Sequence, residues 1–144
     1  MTAAIARLEG AEAWDLIFPA HLAKLPKVEQ EIMHRAMSTS SRVWVGYDGE
    51  KILAYWGVQP PSLLSDRAYL WLQTTEHLHE HVFVFIRYSQ RAVASMLQEY
   101  SILYGHTVVS NTHAIRWLRW LGAEFGPEYR GCVPFEIRAG AHHG

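Results

Sequence analysis

Three histidines alternate through Thr75-Glu-His-Leu-His-Glu-His81. On a strand, His77, His79 and His81 would share one face, an arrangement that some zinc sites use. The segment stands where a strand gives way to a helix, so a solvated helix entrance without metal is expected instead. A cysteine nucleophile needs a base and a lowered pKa. Cys132, the only cysteine, sits between Gly131 and Val133-Pro134 and reads as a small apolar filler. Asp48 and Glu50 flank a turn that explains Asp48 without catalysis. Glu124 and Glu128 share the face of a terminal strand, but spacing assigns them no base. His142-His143 lie in a tail with no carboxylate neighbour in sequence.

Aromatic residues are the second source of function. The chain has six tryptophans, Trp14, Trp44, Trp56, Trp71, Trp117 and Trp120, more than one small core absorbs. Aromatics with one wet edge are favoured at interfaces. Trp120 lies at the flank of a helix, four residues after Arg116 and within stacking reach of it. On a longer helix, Val84, Tyr88, Arg91 and Ser95 line the outward side. Ordinary surface scatter is the plainer reading of that side, and a docking face the alternative. Trp120 with Arg116, then Tyr88 with Arg91, are the candidate partner-binding residues.

The elements that position these groups follow from periodicity and punctuation. Thr2–Leu8 reads as a strand, and Trp14, Ile17, Phe18, His21 and Leu22 recur at helical spacing after Gly10. Pro26 suits the first turn of a second helix with Val28, Ile32 and Met33 on its apolar side, ending in a Ser38–Ser41 loop. Residues 42–47 and 51–58 form a hairpin about Asp48-Gly49, and 68–73 add a third strand after Pro60-Pro61. A long amphipathic helix covers about 82–100, with Val82, Ile86, Val93, Leu97 and Tyr100 on one face and Arg87, Arg91 and Gln98 opposite. Gly105–Val109 is a short strand. Ser110-Asn111 offer N-caps to a helix carrying Ala114, Ile115, Leu118 and Leu121, with Gly122 as its C′ residue. Stretches 123–129 and 132–138 close the chain as strands joined at Arg130-Gly131. The order β-α-α-β-β-β-α-β-α-β-β implies one α/β domain over 1–138, a mixed sheet with helices on both faces, and a flexible tail over 139–144.

Composition bounds the function. The 144 residues are 49% hydrophobic and 19% charged, which suits a globular core and not a disordered chain. A formal charge of -1 gives no global attraction to nucleic acid or anionic membrane. A single cysteine excludes an internal disulfide and fits an intracellular setting. No run approaches the roughly 20 apolar residues of a membrane span, and the N-terminus lacks a secretory pattern, so a soluble, unprocessed chain is expected.

Asn111-Thr-His-Ala-Ile-Arg-Trp-Leu-Arg-Trp-Leu-Gly-Ala123 resembles the N-x-x-A-I-R-x-Y-x-x-L-G-F segment that follows the fifth strand of the Gcn5-related N-acetyltransferase (GNAT) superfamily. Here too it follows the fifth predicted strand, and the element order over residues 2–138 matches. The chain also resembles the small acetyltransferase-like proteins of short-tailed, T7-like bacteriophages, of the internal virion protein A type. That likeness lies in Asn111-Thr112, Ile115-Arg116, Leu118, Leu121-Gly-Ala123, Phe125 and Glu128-Tyr129, and extends back through Trp56–Val58 and Tyr69–Thr75.

The first resemblance implies a GNAT fold, an acetyl-coenzyme A cofactor and an acyl transfer, yet two departures oppose the chemistry. Active members cradle the coenzyme pyrophosphate on backbone amides in a Q/R-x-x-G-x-G/A loop after the fourth strand. This chain has Thr75, Glu76, His77, His79, Glu80 and His81 there, with no glycine to admit a phosphate and two acids to repel one. Many members also use the tyrosine of the segment above as a general acid for the thiolate. Leu118 stands in that place, so no catalytic residue is assigned and coenzyme binding is not expected. The resemblance to phage proteins implies an accessory or virion-assembly protein, acting on other virion or assembly proteins in the virion or the host cytoplasm. An active acetyl-coenzyme A transferase and a host-directed phage inhibitor are the alternatives.

Overall fold

The computed structural model describes residues 3–62 and 64–140. In chain order the elements are β1 (Ala3–Leu8), α1 (Gly10–Ala20), a 3-10 turn (Leu22–Lys24), α2 (Lys27–Thr39), β2 (Arg42–Asp48), β3 (Lys51–Gln59) and β4 (Arg67–Thr74). A second 3-10 turn (Leu78–His81), α3 (Val82–Glu99), β5 (Ile102–Val108), α4 (Thr112–Trp120), β6 (Glu124–Phe125) and β7 (Cys132–Arg138) follow. This is the anticipated order with two short turns added. The seven strands form a mixed sheet ordered β1-β2-β3-β4-β5-β7-β6. The backbone divides into two compact units, Met1–Gln59 with Trp71–Tyr88 and Pro60–Leu70 with Ser89–Gly144.

In the first unit β1 and β3 flank β2, both antiparallel to it. Gly49, at φ 61°, closes the β2–β3 hairpin in the left-handed conformation that glycine adopts without steric cost. β3 is buried continuously from Ile52 to Val58, so it shows no in-out alternation. Gly57 makes room for Trp71, since a Cβ there would lie 2.7 Å from the indole. Helix α1 buries Ala13 and Ile17 and stops at Ala20, because His21 leaves helical geometry at φ -141°.

Two expectations for α2 are corrected. Its buried residues are Ala36 and Met37, whereas Val28 and Ile32 are 68% and 57% exposed. Val28 and Ile32 satisfy helical spacing, but tertiary packing, which spacing does not encode, decides which side of the helix is buried. The Ser38–Ser41 loop also starts later than expected. Ser38 and Thr39 are helical, and their hydroxyls donate back to the Arg35 carbonyl at 3.1 and 2.7 Å.

In the second unit β4 pairs with β5 in parallel, and β7 is antiparallel to both β5 and β6. Its core includes Val93, Met96, Leu103, Leu118, Phe135 and Ile137. In this unit α3 buries Ser89, Ala92, Val93 and Met96 and half-buries Leu97, and its part in the first unit buries Phe85 and half-buries Ile86, one step around the helix from the expected face. A fully buried serine broke the apolar pattern that fixed the reading. The side chains of Val82 and Val84 lie outside the described residues. Strand β6 has two residues instead of the expected 123–129, because Gly126-Pro127 ends it and proline has no N–H for a ladder. Glu128 is therefore not on a strand face with Glu124. Ala139 donates its N–H to the Ser101 carbonyl at 2.8 Å; residues 141–144, with His142-His143, lie outside the described residues. Among the described residues no helix is long and apolar enough to cross a membrane.

Candidate functional site

The segment after β4 is a tied turn. Thr75 donates its hydroxyl to the Ile52 carbonyl of β3 at 2.5 Å and its N–H to that of Leu53 at 3.0 Å. The same hydroxyl accepts the His77 N–H at 3.2 Å, and the Thr75 carbonyl accepts the Leu78 N–H at 3.2 Å. His79 Nδ1 lies 2.6 Å from the Glu76 carbonyl, which makes that nitrogen the donor. A phosphate cradle needs several backbone N–H groups free and converging. Here those of His77 and Leu78 are committed to Thr75, no glycine opens the turn, and Glu76 and Glu80 are exposed on it. The residues present do not fit a coenzyme pyrophosphate.

The three histidines part company. His77 Nε2 lies 3.6 Å from the Glu76 carboxylate, an ion pair only when the ring is protonated, and His79 turns back to its own loop. His81 Nε2 meets Asp48 Oδ2 at 2.9 Å. Among the described residues no three His, Cys, Asp or Glu side chains converge to hold a metal ion.

Asp48, which the sequence explained by turn chemistry alone, is more than a turn residue. It is 3% exposed, and its Oδ1 has no hydrogen-bond partner among the described residues. The register shift in the β2–β3 pairing places its extra residue, Leu53, on β3, while β2 stays in unbroken register with β1, so Asp48 lies on the same strand face as the buried Trp44 and Gly46. The turn chemistry of Asp48-Gly49 hid that alternation. The pair ties the turn before α3 to the β2–β3 hairpin.

A second polar pair in the first unit joins His21 Nδ1 to the Tyr55 hydroxyl at 2.9 Å. Tyr55 is fully buried, and burial pushes its phenol well above the usual value, so it stays protonated. Burial lowers the His21 imidazole; Glu76 opposes this, and Lys24 and His77 add to it. The Tyr55 ring meets Trp71 edge-on at 6.2 Å, and Trp71 donates its indole N–H to Ser40 at 2.8 Å. This chain of contacts fixes a neutral phenol and a neutral imidazole side by side.

In the second unit the Asn111 carboxamide accepts the Ala114 N–H at 3.1 Å and starts α4, as its position before the apolar run suggested. Gly122 follows the helix at φ 96°. Leu118 is 4% exposed and Leu121 is buried, whereas Ala114 and Ile115 are only half-buried. Trp117 is buried too, its indole donating to Ser89 at 2.9 Å. Trp120 is 37% exposed and Arg116 is exposed. The guanidinium of Arg119 lies 5.5 Å over the Phe125 ring. On α3, Tyr88 in the first unit and Arg91 in the second are both exposed.

No protein-family model matches the chain, and no curated protein matches it in sequence. Solved structures do. The GNAT domain of PAT from S. lividans superposes with a TM-score of 0.68 at 12% identity, covering 96% of this chain and 91% of that one. The fold is that of the GNAT acetyltransferases. A chimera of the spermidine N-acetyltransferase SpeG from Vibrio cholerae with hSSAT gives 0.66 at 14% identity, covering 96% of each chain. Campylobacter jejuni N-acetyltransferase PseH, solved in complex with acetyl coenzyme A, gives 0.64 at 10% identity over 94% of this chain and 99% of that one. At such identities the likeness speaks for the GNAT fold alone.

Proposed function

We propose that this chain is a GNAT-fold protein without a working coenzyme A site that acts by binding other proteins. The observation that carries the reading is the Thr75 turn, whose hydroxyl and carbonyl occupy the amides of His77 and Leu78. The burial of Leu118 where many members place a proton-donating tyrosine supports it. On the resemblance to T7-like phage proteins, the partners are other virion or assembly proteins, met in the virion or in the cytoplasm of the bacterial host. The same resemblance leaves room for a host protein as target. Trp120 with Arg116, and Tyr88 with Arg91, are the residues proposed to anchor a partner, since buried aromatics and arginines dominate interface energies.

The second reading is an N-acetyltransferase using acetyl-coenzyme A, favoured by the activities named for the structural neighbours. A thermal-shift titration separates the two. Ligand at 100 times its Kd stabilises a fold by about 2.7 kcal/mol. At roughly 2–4 °C per kcal/mol for a domain near this size, coenzyme binding would raise Tm by about 5–11 °C. No rise with millimolar acetyl-coenzyme A is expected. A saturable rise of that size would move the function to acyl transfer.

A further inference from the structure

The backbone of the Tyr129–Cys132 turn is at odds with its sequence. Tyr129 donates its N–H to the Cys132 carbonyl at 2.8 Å, and Cys132 returns the bond at 3.0 Å. The two residues between them are Arg130, at φ 52°, and Gly131, at φ 79°. Two left-handed central residues make the tight hairpin turn that normally selects Asn-Gly or Asp-Gly. Among the described residues Arg130 is the single non-glycine residue with positive φ. A long side chain is disfavoured there, so the arginine does not serve the turn. Strain of this kind persists where surrounding bonds over-determine it, and it gathers at functional positions. Here the Val109 N–H adds a bond to the Gly131 carbonyl at 2.9 Å, tying the turn to the chain just after β5.

What the arginine supplies is a displayed cation. Its guanidinium lies 5.3 Å over the Tyr129 ring, and Tyr129 is 69% exposed. Elsewhere in this unit Arg67 and Arg138 are both held by Glu136, at 3.2 and 2.8 Å. Arg130 has no such carboxylate among the described residues. A guanidinium already oriented by an aromatic ring loses little freedom on binding, and its planar fork matches a carboxylate.

We propose that the Tyr129–Arg130 tip is a docking prong for a carboxylate-bearing surface of a partner protein, with Arg130 gripping an Asp or Glu side chain and Tyr129 covering the apolar part beside it. The proposal rests on the protein-binding reading above and names the partner's chemistry. A protein carboxylate suits the site better than a nucleic acid. One arginine forks onto a single carboxylate at a time, whereas nucleic-acid affinity grows with the number of phosphates met by separate cations, and the formal charge of -1 supplies no such excess.

The test follows the arginine Nε–H and Tyr129 amide resonances of the full chain by NMR. The probes are a capped tetraglutamate peptide, a capped tetralysine peptide and inorganic phosphate. Tetraglutamate is expected to shift both resonances saturably, with the shift reduced by salt, several-fold weaker in Arg130→Lys and absent at the Tyr129 amide in Arg130→Asn. Asparagine suits the left-handed site, so Arg130→Asn should melt no lower than wild type and up to about 4 °C higher. The prong is overturned by unmoved resonances, by an undiminished Tyr129 shift in Arg130→Asn, or by phosphate or tetralysine acting as well as tetraglutamate. A fall in Tm above about 2 °C for Arg130→Asn would equally overturn it, by making the arginine structural. Acetyl-coenzyme A added to the same samples keeps the two claims apart. Coenzyme saturation would defeat the protein-binding reading, whereas silence toward both coenzyme and tetraglutamate would defeat the prong alone.

Discussion

Thr75→Val removes the hydroxyl that closes the turn after β4 while keeping its shape. Two bonds go: the donation, shared between the Ile52 carbonyl at 2.5 Å and the Leu53 carbonyl at 3.2 Å, and the acceptance of the His77 N–H at 3.2 Å. Ile52 is 5% exposed, so water reaches its carbonyl poorly once the hydroxyl is gone. A typical bond contributes about 0.5–1.5 kcal/mol net, so the pair contributes about 1–3 kcal/mol. With roughly 2–4 °C per kcal/mol, a mid-range loss lowers Tm by about 4–8 °C. Thr75→Ser retains the hydroxyl and should melt within about 2 °C of wild type. The assay is a thermal melt of all three proteins, paired with amide hydrogen exchange at His77, which should quicken only in the valine variant. Equal melting and equal exchange would refute the claim that this hydroxyl fills the turn, and with it the main objection to a phosphate there.

Leu118→Ala should cost about 2–5 kcal/mol in a denaturant titration, because the side chain is 4% exposed in the second unit's core; a loss under 1 kcal/mol would mean that the site is loosely packed. Ser89→Ala should cost about 0.5–1.5 kcal/mol by removing the 2.9 Å bond from the buried Trp117 indole, and unchanged stability would contradict that bond. Burial favours neutral His21, so the unfolded chain takes up a proton first as pH falls below about 6.5. That contribution to stability is complete above the unfolded value and lost on acidification. Tm measured from pH 7.5 to 5.5 should fall more steeply for wild type than for His21→Gln, and parallel curves would refute the assignment.

The fold was legible because its cues are local and agree: Asp48-Gly49 between two β-branched runs, Asn111 before an apolar helix, Gly122 after it. Their order, together with the Asn111–Ala123 segment, suggested the GNAT fold that superposition on solved structures supports. Faces were less legible than elements. On α2, Val28 and Ile32 satisfied helical spacing yet are exposed while Ala36 and Met37 are buried, and on α3 the fully buried Ser89 broke the apolar pattern. The candidate site divided in the same way. Leu118 and the missing glycines could be read directly from residue types. The Thr75 bonds reach across to a strand more than twenty residues earlier in sequence, and the Asp48–His81 pair joins residues more than thirty apart, which spacing does not encode. Arg130 looked like an ordinary turn residue until its backbone angle was known.

Equilibrium dialysis of the purified chain against labelled acetyl-coenzyme A addresses the loss of the coenzyme site most directly, since it counts bound ligand whatever the effect on melting. With protein and coenzyme each at about 100 μM, a site of micromolar affinity would retain close to one equivalent. No retention above a denatured control is expected for wild type or for Thr75→Val. Retention approaching one equivalent by wild type, displaced by unlabelled coenzyme A, would contradict the reading of the Thr75 turn as a filled and closed one.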